Sequence, residues 1–335
     1  MQAPGRGTVR PPIGIALDAD FGNRIDAVLA IAMLNGLAAK SEARRIALCE
    51  SRCSLKGAQV ADVVASFYSP RAVAPRGGVG GNPANMVGMP EEGPSGDPAP
   101  LSALLSRRGA DGAPAYTSGI TELRDTAENA VLIRNILLAQ QDGNAAVVLA
   151  GPATGLARLT GLFGAKPQVA AKVKHLVAAI GAFPTGAADP SIAADVAAAR
   201  KLFGEWSAPL VAVGAEVGAA LPYPGGSVEQ DFAWAPSHPV VDAIRAYQST
   251  PYDPPTSALA AVLYAAHADA GYFKLSEAGT IRVLDDGRTQ FTADPNGAHR
   301  YLIVDSAQKE RAIELFRELV SAKPAAPPGR RGGDD

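Results

Sequence analysis

The chain has 335 residues, of which 47% are hydrophobic, 19% charged and 6% aromatic. That length accommodates one large domain or two modest ones, and the apolar share excludes wholesale disorder. Thirty-one basic against 33 acidic side chains leave a formal net charge of −2, which speaks against nucleic-acid binding by bulk charge; a local basic patch stays open, and the few aromatics weaken base stacking.

Residues 1–12 are rich in Gly, Pro and Arg and read as a flexible tail, as do residues 323–335. IGIALDAD (13–20) reads as a buried strand ending in acids. DAVLAIAMLNGLAAK (26–40) follows as a helix, with Val28, Ile31, Leu34 and Leu37 spaced three apart. RIALCE (45–50) is a second strand and GAQVADVVASFYS (57–69) a second helix. Residues 75–118 carry many Gly and Pro residues and read as a long loop region. The rhythm resumes with a helix over 125–141, a strand over 145–150 and a helix over 151–163. Then come a strand at 175–181, a helix at 195–203, a strand at 209–214, and helices at 238–248 and 256–266. GTIRVLDDGRTQFT (279–292) has the turn signal of a hairpin. YLIVD (301–305) is a last strand and QKERAIELFRELVSA (308–322) a last amphipathic helix.

The βαβα order predicts an α/β fold: a single domain over 13–322, with a mainly parallel, Rossmann-like sheet, helices on both faces and a small C-terminal β-hairpin. Cys49 and Cys53 exclude a disulfide framework, and their spacing lacks the second pair of a structural zinc site. No run is long and apolar enough for a membrane span, and the N-terminus lacks the apolar core of a signal peptide. A cytoplasmic protein with no membrane partner is the expectation.

The most informative segment is LDADFGNRIDAVLAIAML (17–34). Asp18, Asp20 and Asp26 lie just after a strand and at a helix start, the edge of a parallel sheet where ligands bind. Clustered carboxylates there call for a positive partner, and hard oxygen donors suit calcium or magnesium. The structural alternative makes Asp26 a helix cap, Asp18 a strand-end residue and Asp20 a turn former. Arg24 lies inside this loop. Its guanidinium either sits where a metal would and pairs with Asp18 or Asp20, or points to solvent.

DADFGNRIDAVLA resembles the N-terminal signature of the inosine–uridine preferring nucleoside hydrolases. Further segments resemble that family in the same order: AVVLAGPATGLARL (146–159), VAVGAEVGAALPYP (211–224), SHPVVDAIRAY, PYDPPTSALAAVLYA, and GYFKLSEAGT with DPNGAHRYLIVD. The resemblance implies the nucleoside hydrolase fold and hydrolysis of the N-glycosidic bond of a ribonucleoside, in purine or pyrimidine salvage. Calcium would hold the attacking water and two ribose hydroxyls while the site's carboxylates stabilise a cationic ribosyl transition state.

Carried over residue by residue, Asp20 matches the calcium ligand and water-activating base, and Asp18 the first aspartate, which supports the metal shell. Ala150 matches the residue whose backbone carbonyl faces calcium. Asp26 matches an aspartate that binds a ribose hydroxyl, and Asp189 and Ser191 fall where the family places a Glu and an Asn on the ribose. Glu216, within GAEVG at a strand end, is placed to line the pocket. Two positions depart from the pattern: Ala27 stands where a second acidic calcium ligand belongs, and Ala258 stands where the last one does. The expected calcium site is therefore weak or absent.

Two function classes remain. One is a nucleoside hydrolase-like enzyme using Asp20. The other is a non-catalytic relative that binds a nucleoside or ribose-like molecule or serves as an interaction protein. The family implies a homo-oligomer, dimer or tetramer, and Arg outnumbering Lys is consistent with a GC-rich bacterial genome. His175, His238, His267 and His299 are too scattered for a zinc motif, and Asp253 reads as a turn residue. Trp206 and Trp234 read as packing anchors, and the glycines at 77–81 lack the Lys of a phosphate loop.

Overall fold

A computed structural model describes residues 11–69, 87–96, 99–235 and 237–324. The glycine run at 77–81, most of the N-terminal tail and residues 325–335 lie outside the described residues.

In chain order the elements are β1 (Ile13–Ala19), α1 (Ile25–Ala39), β2 (Ala43–Glu50), α2 (Leu55–Tyr68), β3 (Val87–Met89), α3 (Ala99–Ser102), β4 (Ala127–Glu128), α4 (Asn129–Leu138), β5 (Ala145–Ala150), α5 (Thr154–Gly161), α6 (Ala165–Lys172) and β6 (Val173–Ala178). They continue as α7 (Pro190–Ala194), α8 (Val196–Glu205), β7 (Leu210–Ala212), α9 (Ala215–Ala220), α10 (Val228–Asp231), α11 (Pro239–Tyr247), α12 (Ser257–His267), β8 (Lys274–Leu275), β9 (Gly279–Val283), β10 (Thr289–Ala293), β11 (His299–Ile303) and α13 (Ser306–Val320).

The strands form one sheet in the order β10-β9-β11-β7-β6-β5-β1-β2-β3-β4, with β8 against β11. Every pairing from β4 across to β11 is parallel, and β8, β9 and β10 add the antiparallel part. The chain runs outward from β1 through β4, then returns to build β5, β6 and β7 on the other side of β1. The order therefore reverses between β1 and β5, and the crevice at the carboxyl ends of those two strands is the topological switch point where open α/β sheets hold ligands.

Period-two alternation divides β1 between two cores. Ile15, Leu17 and Ala19 join the cluster built with α1, α2, α11, α12 and α13. Ala16 joins the opposite cluster, with α4, α5, α6 and α8. Helix α1 is apolar on all sides because α2, α11, α12 and α13 enclose it. Among the described residues no helix is long and apolar enough to cross a membrane.

The expected elements appear in the expected order, and the short elements α3, α6, α7, α9, α10 and β8, which the sequence reading did not include, stand among them. Inside the stretch read as loop, β3 inserts between β2 and β4; its three residues are too few to show a period. The helix expected from 125 begins at Asn129, because Ala127–Glu128 is an edge strand and the Glu128 side chain accepts from the Val131 N–H to start the helix. The hairpin at 279–292 is present as β9 and β10 and extends the main sheet through β11.

Candidate functional site

The β1–α1 loop crosses the switch point at a close approach to the turn after β5. The Asp20 N–H donates to the Ala150 carbonyl at 3.2 Å. Gly151 leaves no room for a side chain: a Cβ there would stand 2.9 Å from the Asp20 nitrogen and 2.1 Å from the Ser51 hydroxyl oxygen. Asp18, Asp20 and Asp26 are all buried beside this turn, but they do not converge on one point.

Asp18 follows Ala16 on the face turned to α4 and α5, beside Gly155. Among the described residues neither of its carboxylate oxygens has a hydrogen-bond partner. Burial, with a smaller push from the Glu128 charge, raises its pKa well above the ordinary carboxylate value. On that face Asp18 takes no part in the hydrogen bonds that hold Asp20.

Asp20 is held by the loop itself and by the next strand. Its Oδ1 accepts from the Asn23 side-chain amide at 2.8 Å and from the Asn23 N–H at 3.2 Å. Its Oδ2 accepts from Arg52 Nε at 2.5 Å, a salt bridge with Asp20 almost fully enclosed and the Arg52 side chain 20% exposed. Glu50 underpins this arrangement: its two oxygens accept from the Phe21 and Arg52 N–H groups, both at 3.0 Å. Burial and the neighbouring Asp20 charge push the Glu50 pKa well up, outweighing those two hydrogen bonds.

Asp26, in the first turn of α1, is gripped by Arg24. Nε and Nη2 of the guanidinium reach the two carboxylate oxygens at 3.1 and 2.9 Å, and Nη1 donates to the Ala179 carbonyl past β6 at 3.1 Å. Asp26 Oδ2 also accepts the Ala258 N–H at 2.9 Å. Burial alone would lower the Arg24 pKa; the charges of Asp26, Asp189 and Asp20, with the hydrogen bond to Asp26, reverse this and raise it. Arg24 does not point to solvent, and the carboxylate it pairs with is Asp26 rather than Asp18 or Asp20.

The other expected ribose-binding residues lie at neighbouring strand ends. Asp189 caps α7, accepting from the Ser191 and Ile192 N–H groups through Oδ1 and from the Gly181 N–H at 2.9 Å through Oδ2. Ser191 is buried in that cap. Glu216 opens α9 and accepts from the Phe183 N–H at 3.3 Å. Burial raises its pKa, partly opposed by backbone hydrogen bonds. A described cavity of about 460 Å³ lies elsewhere, at the β3–β4 edge, lined by Glu91, Leu123 and Glu128 among others.

These donors do not fit a calcium ion, which takes six to eight oxygens and gains affinity from carboxylate charge. Asp20 and Asp26 already accept from guanidinium groups. The Ala150 carbonyl accepts from Asp20 N–H. Ala27 and Ala258 are fully buried without a side-chain oxygen to offer, and among the described residues no group of three or more His, Cys, Asp or Glu side chains is arranged to hold a metal. Asp18, Asp20 and Ala150, read from the sequence as a metal shell, thus present no set of uncommitted oxygens for the ion: Asp18 lies on the α4–α5 face, and Asp20 and the Ala150 carbonyl are already engaged. Arg52 and Glu50 went unread as site residues in the sequence, although Glu-Ser-Arg (50–52), which closes the second strand, stands at the same carboxyl edge as the aspartates.

No family model and no curated protein matches the sequence. Solved structures do. A plant nucleoside hydrolase is 20% identical with a TM-score of 0.64, the match covering 93% of this chain and 100% of the other. A purine-preferring ribonucleoside hydrolase from Gardnerella vaginalis is 17% identical with a TM-score of 0.66, covering 92% and 98%. The type III effector protein XopQ, complexed with adenosine diphosphate ribose, is 16% identical with a TM-score of 0.65, covering 93% and 95%. The chain has the nucleoside hydrolase fold.

Proposed function

We propose that this chain binds a ribose-bearing small molecule, a nucleoside or a close relative of one, at the carboxyl edge of β1 and β5, without calcium-assisted hydrolysis. The neighbours in fold support the ligand class. Their names speak of nucleosides or of adenosine diphosphate ribose, and ribose is what these molecules share. The observation that carries the non-hydrolytic part is the salt bridge between Asp20 and Arg52. A general base needs a free lone pair within reach of the water it deprotonates. Here the carboxylate in that position is clamped by Arg52 on one oxygen and by Asn23 on the other. Glu216 is the least committed carboxylate at this edge: it accepts the Phe183 N–H at 3.3 Å and keeps lone pairs to which a sugar hydroxyl can donate, whereas Asp26 and Asp189 are already held by Arg24 and by backbone N–H groups.

The second reading, hydrolysis of the N-glycosidic bond with Asp20 activating water, is supported by the near-complete coverage of the nucleoside hydrolases. One pair of measurements separates the two. Inosine, uridine, ribose and adenosine diphosphate ribose are titrated into the protein by calorimetry in chelator, and release of nitrophenol from a nitrophenyl riboside is followed alongside. Saturable binding without turnover is the expected result. Turnover that disappears in Asp20→Asn establishes the hydrolase instead, and no heat with any of the four at millimolar concentration removes the binding role.

A further inference from the structure

We propose that Arg24 and Arg52 stand in for a divalent cation: the two guanidinium groups neutralise the acidic loop from within the chain, and the site closes and stays closed without metal. This does not depend on which ligand, if any, the crevice takes.

The charge balance supports it first. Asp20 and Asp26 are the carboxylates turned toward the switch point, and each is met by one guanidinium. Asp18 lies on the α4–α5 face of the sheet, Glu50 is engaged by the Phe21 and Arg52 N–H groups, and Asp189 by three backbone N–H groups. Asp20 and Asp26 are thus each already paired with a guanidinium, and an incoming calcium ion would meet two positive groups at short range.

The geometry supports it second. A bound metal ties together elements that are remote in sequence by drawing ligands from each. Here the Arg24–Asp26 pair does so with hydrogen bonds: Arg24 reaches the Ala179 carbonyl beyond β6, and Asp26 receives the Ala258 N–H from the start of α12. Arg52 ties the end of β2 to the loop after β1 through Asp20, and its backbone N–H is anchored on Glu50. The loop, β2, β6 and α12 are thus cross-linked by side chains of the chain itself. Ala27 and Ala258 agree with this, since an extra carboxylate at either place would have no cation to meet.

The test uses the full chain. Calcium is titrated into it by calorimetry, and melting is compared in chelator and in millimolar calcium. The expected result is no binding heat and an unchanged Tm. Saturable calcium binding, or a Tm that rises with calcium, overturns the proposal. A double-mutant cycle at Asp20 and Arg52 then separates charge compensation from packing. Arg52→Gln lowers Tm by about 5 °C, Arg52→Lys by less, and Asp20→Asn in the Arg52→Gln background recovers most of the loss. If Arg52→Gln melts with the parent, or if Arg52→Lys is as damaging as Arg52→Gln and Asp20→Asn recovers nothing, Arg52 is not acting as the counter-charge. Should the Arg52 variants fail to fold, the calcium titration of the parent chain still decides.

Discussion

Arg24 and Asp26, two positions apart at the entry of α1, form a two-pronged ion pair in which Nε and Nη2 meet Oδ1 and Oδ2 at 3.1 and 2.9 Å. The pairing is local in sequence and long-range in effect. It fixes Asp26 to receive the Ala258 N–H and frees the third guanidinium nitrogen to reach Ala179. Arg24 also occupies the N-cap position of α1 without capping the helix through its side chain, so its conformation is set by these contacts rather than by the helix end.

Removing this guanidinium leaves Asp26 buried with the Ala258 N–H alone. Breaking a buried pair by deleting one partner costs about 3–5 kcal/mol, and with the Arg24 side chain 22% exposed the expected loss for Arg24→Gln is about 2–3 kcal/mol. Arg24→Lys keeps the charge but cannot span Asp26 and Ala179 at once, so it recovers less than half of that loss. Urea unfolding of the three proteins measures both differences, and full recovery by lysine would show that the fork geometry is unimportant.

Gly151 is the steric condition for the close approach of the two loops. In Gly151→Ala the new methyl group meets the Ser51 hydroxyl at 2.1 Å and the Asp20 nitrogen at 2.9 Å. Overpacking of this kind costs about 1–3 kcal/mol. Ser51→Gly added to Gly151→Ala relieves the first contact and not the second, so it recovers part of the loss. Ser51→Ala alone is close to neutral, because among the described residues the Ser51 hydroxyl has no hydrogen-bond partner to lose. A large loss in Ser51→Ala would contradict this placement.

The sheet, its parallel sense and the acidic loop at the mouth of β1 are legible in the chain because their signals are local. Apolar runs alternate with helical periods, and Asp18, Asp20 and Asp26 follow a strand directly. What is not legible is the partner of each acid. Asp18 and Asp20 are two positions apart, yet one lies on the α4–α5 face of the sheet and the other in the loop beyond the strand's end. Arg52 is 32 positions from Asp20 and arrives only because β2 pairs beside β1. Arg24 stands within reach of Asp18, Asp20 and Asp26 alike in sequence. Its choice of Asp26 is made by the Ala179 carbonyl and the Ala258 N–H, which lie 155 positions from Arg24 and 232 from Asp26. Strand β3 is missed for a similar reason, since three residues acquire their identity from the neighbours that flank them.

Asp18 should make the protein less stable as pH rises. Its folded pKa is raised, chiefly by burial. Above the ordinary carboxylate pKa the unfolded chain releases this proton while the folded chain retains it. The folded state then binds more protons, so stability falls with pH until the raised folded value is passed. Asp18→Asn carries no such proton. The variant should gain on the parent as pH is raised from about 4 toward neutrality. Denaturant midpoints for both proteins across that range test the sign, and a constant difference between them would show that Asp18 is ionised in the fold.

Two buried histidines give the opposite slope on the acid side. His238 lies among Phe67, Phe232 and Trp234, accepts the Val240 N–H on Nδ1 and faces the Tyr68 hydroxyl with Nε2. Burial lowers its pKa to about 3, and burial aided by the Lys174 charge lowers that of His175 to about 4. Below pH about 6.5 the unfolded chain takes up protons that the folded chain refuses, so each histidine removes up to about 1.4 kcal/mol per pH unit as pH falls toward its folded value. Asn is a good helix cap and can accept the same Val240 N–H. His238→Asn should therefore lose stability at neutral pH through the emptied aromatic cage and show a shallower acid limb than the parent. An unchanged limb would mean that His238 is protonated in the folded state.

Restoring acids at positions 27 and 258 is the sharpest trial of the carboxylate balance. Both alanines are fully buried, and Ala27 belongs to the apolar cluster beneath the loop. An added carboxylate there has no free cation to meet among the described residues of the loop, because Arg24 is committed to Asp26 and Arg52 to Asp20. Burying an unpaired charge is strongly unfavourable, so the Ala27→Asp and Ala258→Asp double variant should lose about 3 kcal/mol or more in chelator. Calcium should recover little of this while Arg24 holds its place, since the ion and the guanidinium compete for the Asp26 oxygens. Adding Arg24→Gly removes the competitor and leaves Asp26 and the two introduced carboxylates, at the adjoining position 27 and at position 258 whose N–H meets Asp26, without a guanidinium. Only this triple variant should melt higher in millimolar calcium than in chelator, by linkage between metal binding and folding. If the double variant already gains a calcium-dependent Tm, Arg24 is readily displaced and its grip on Asp26 is weaker than the two-pronged geometry implies.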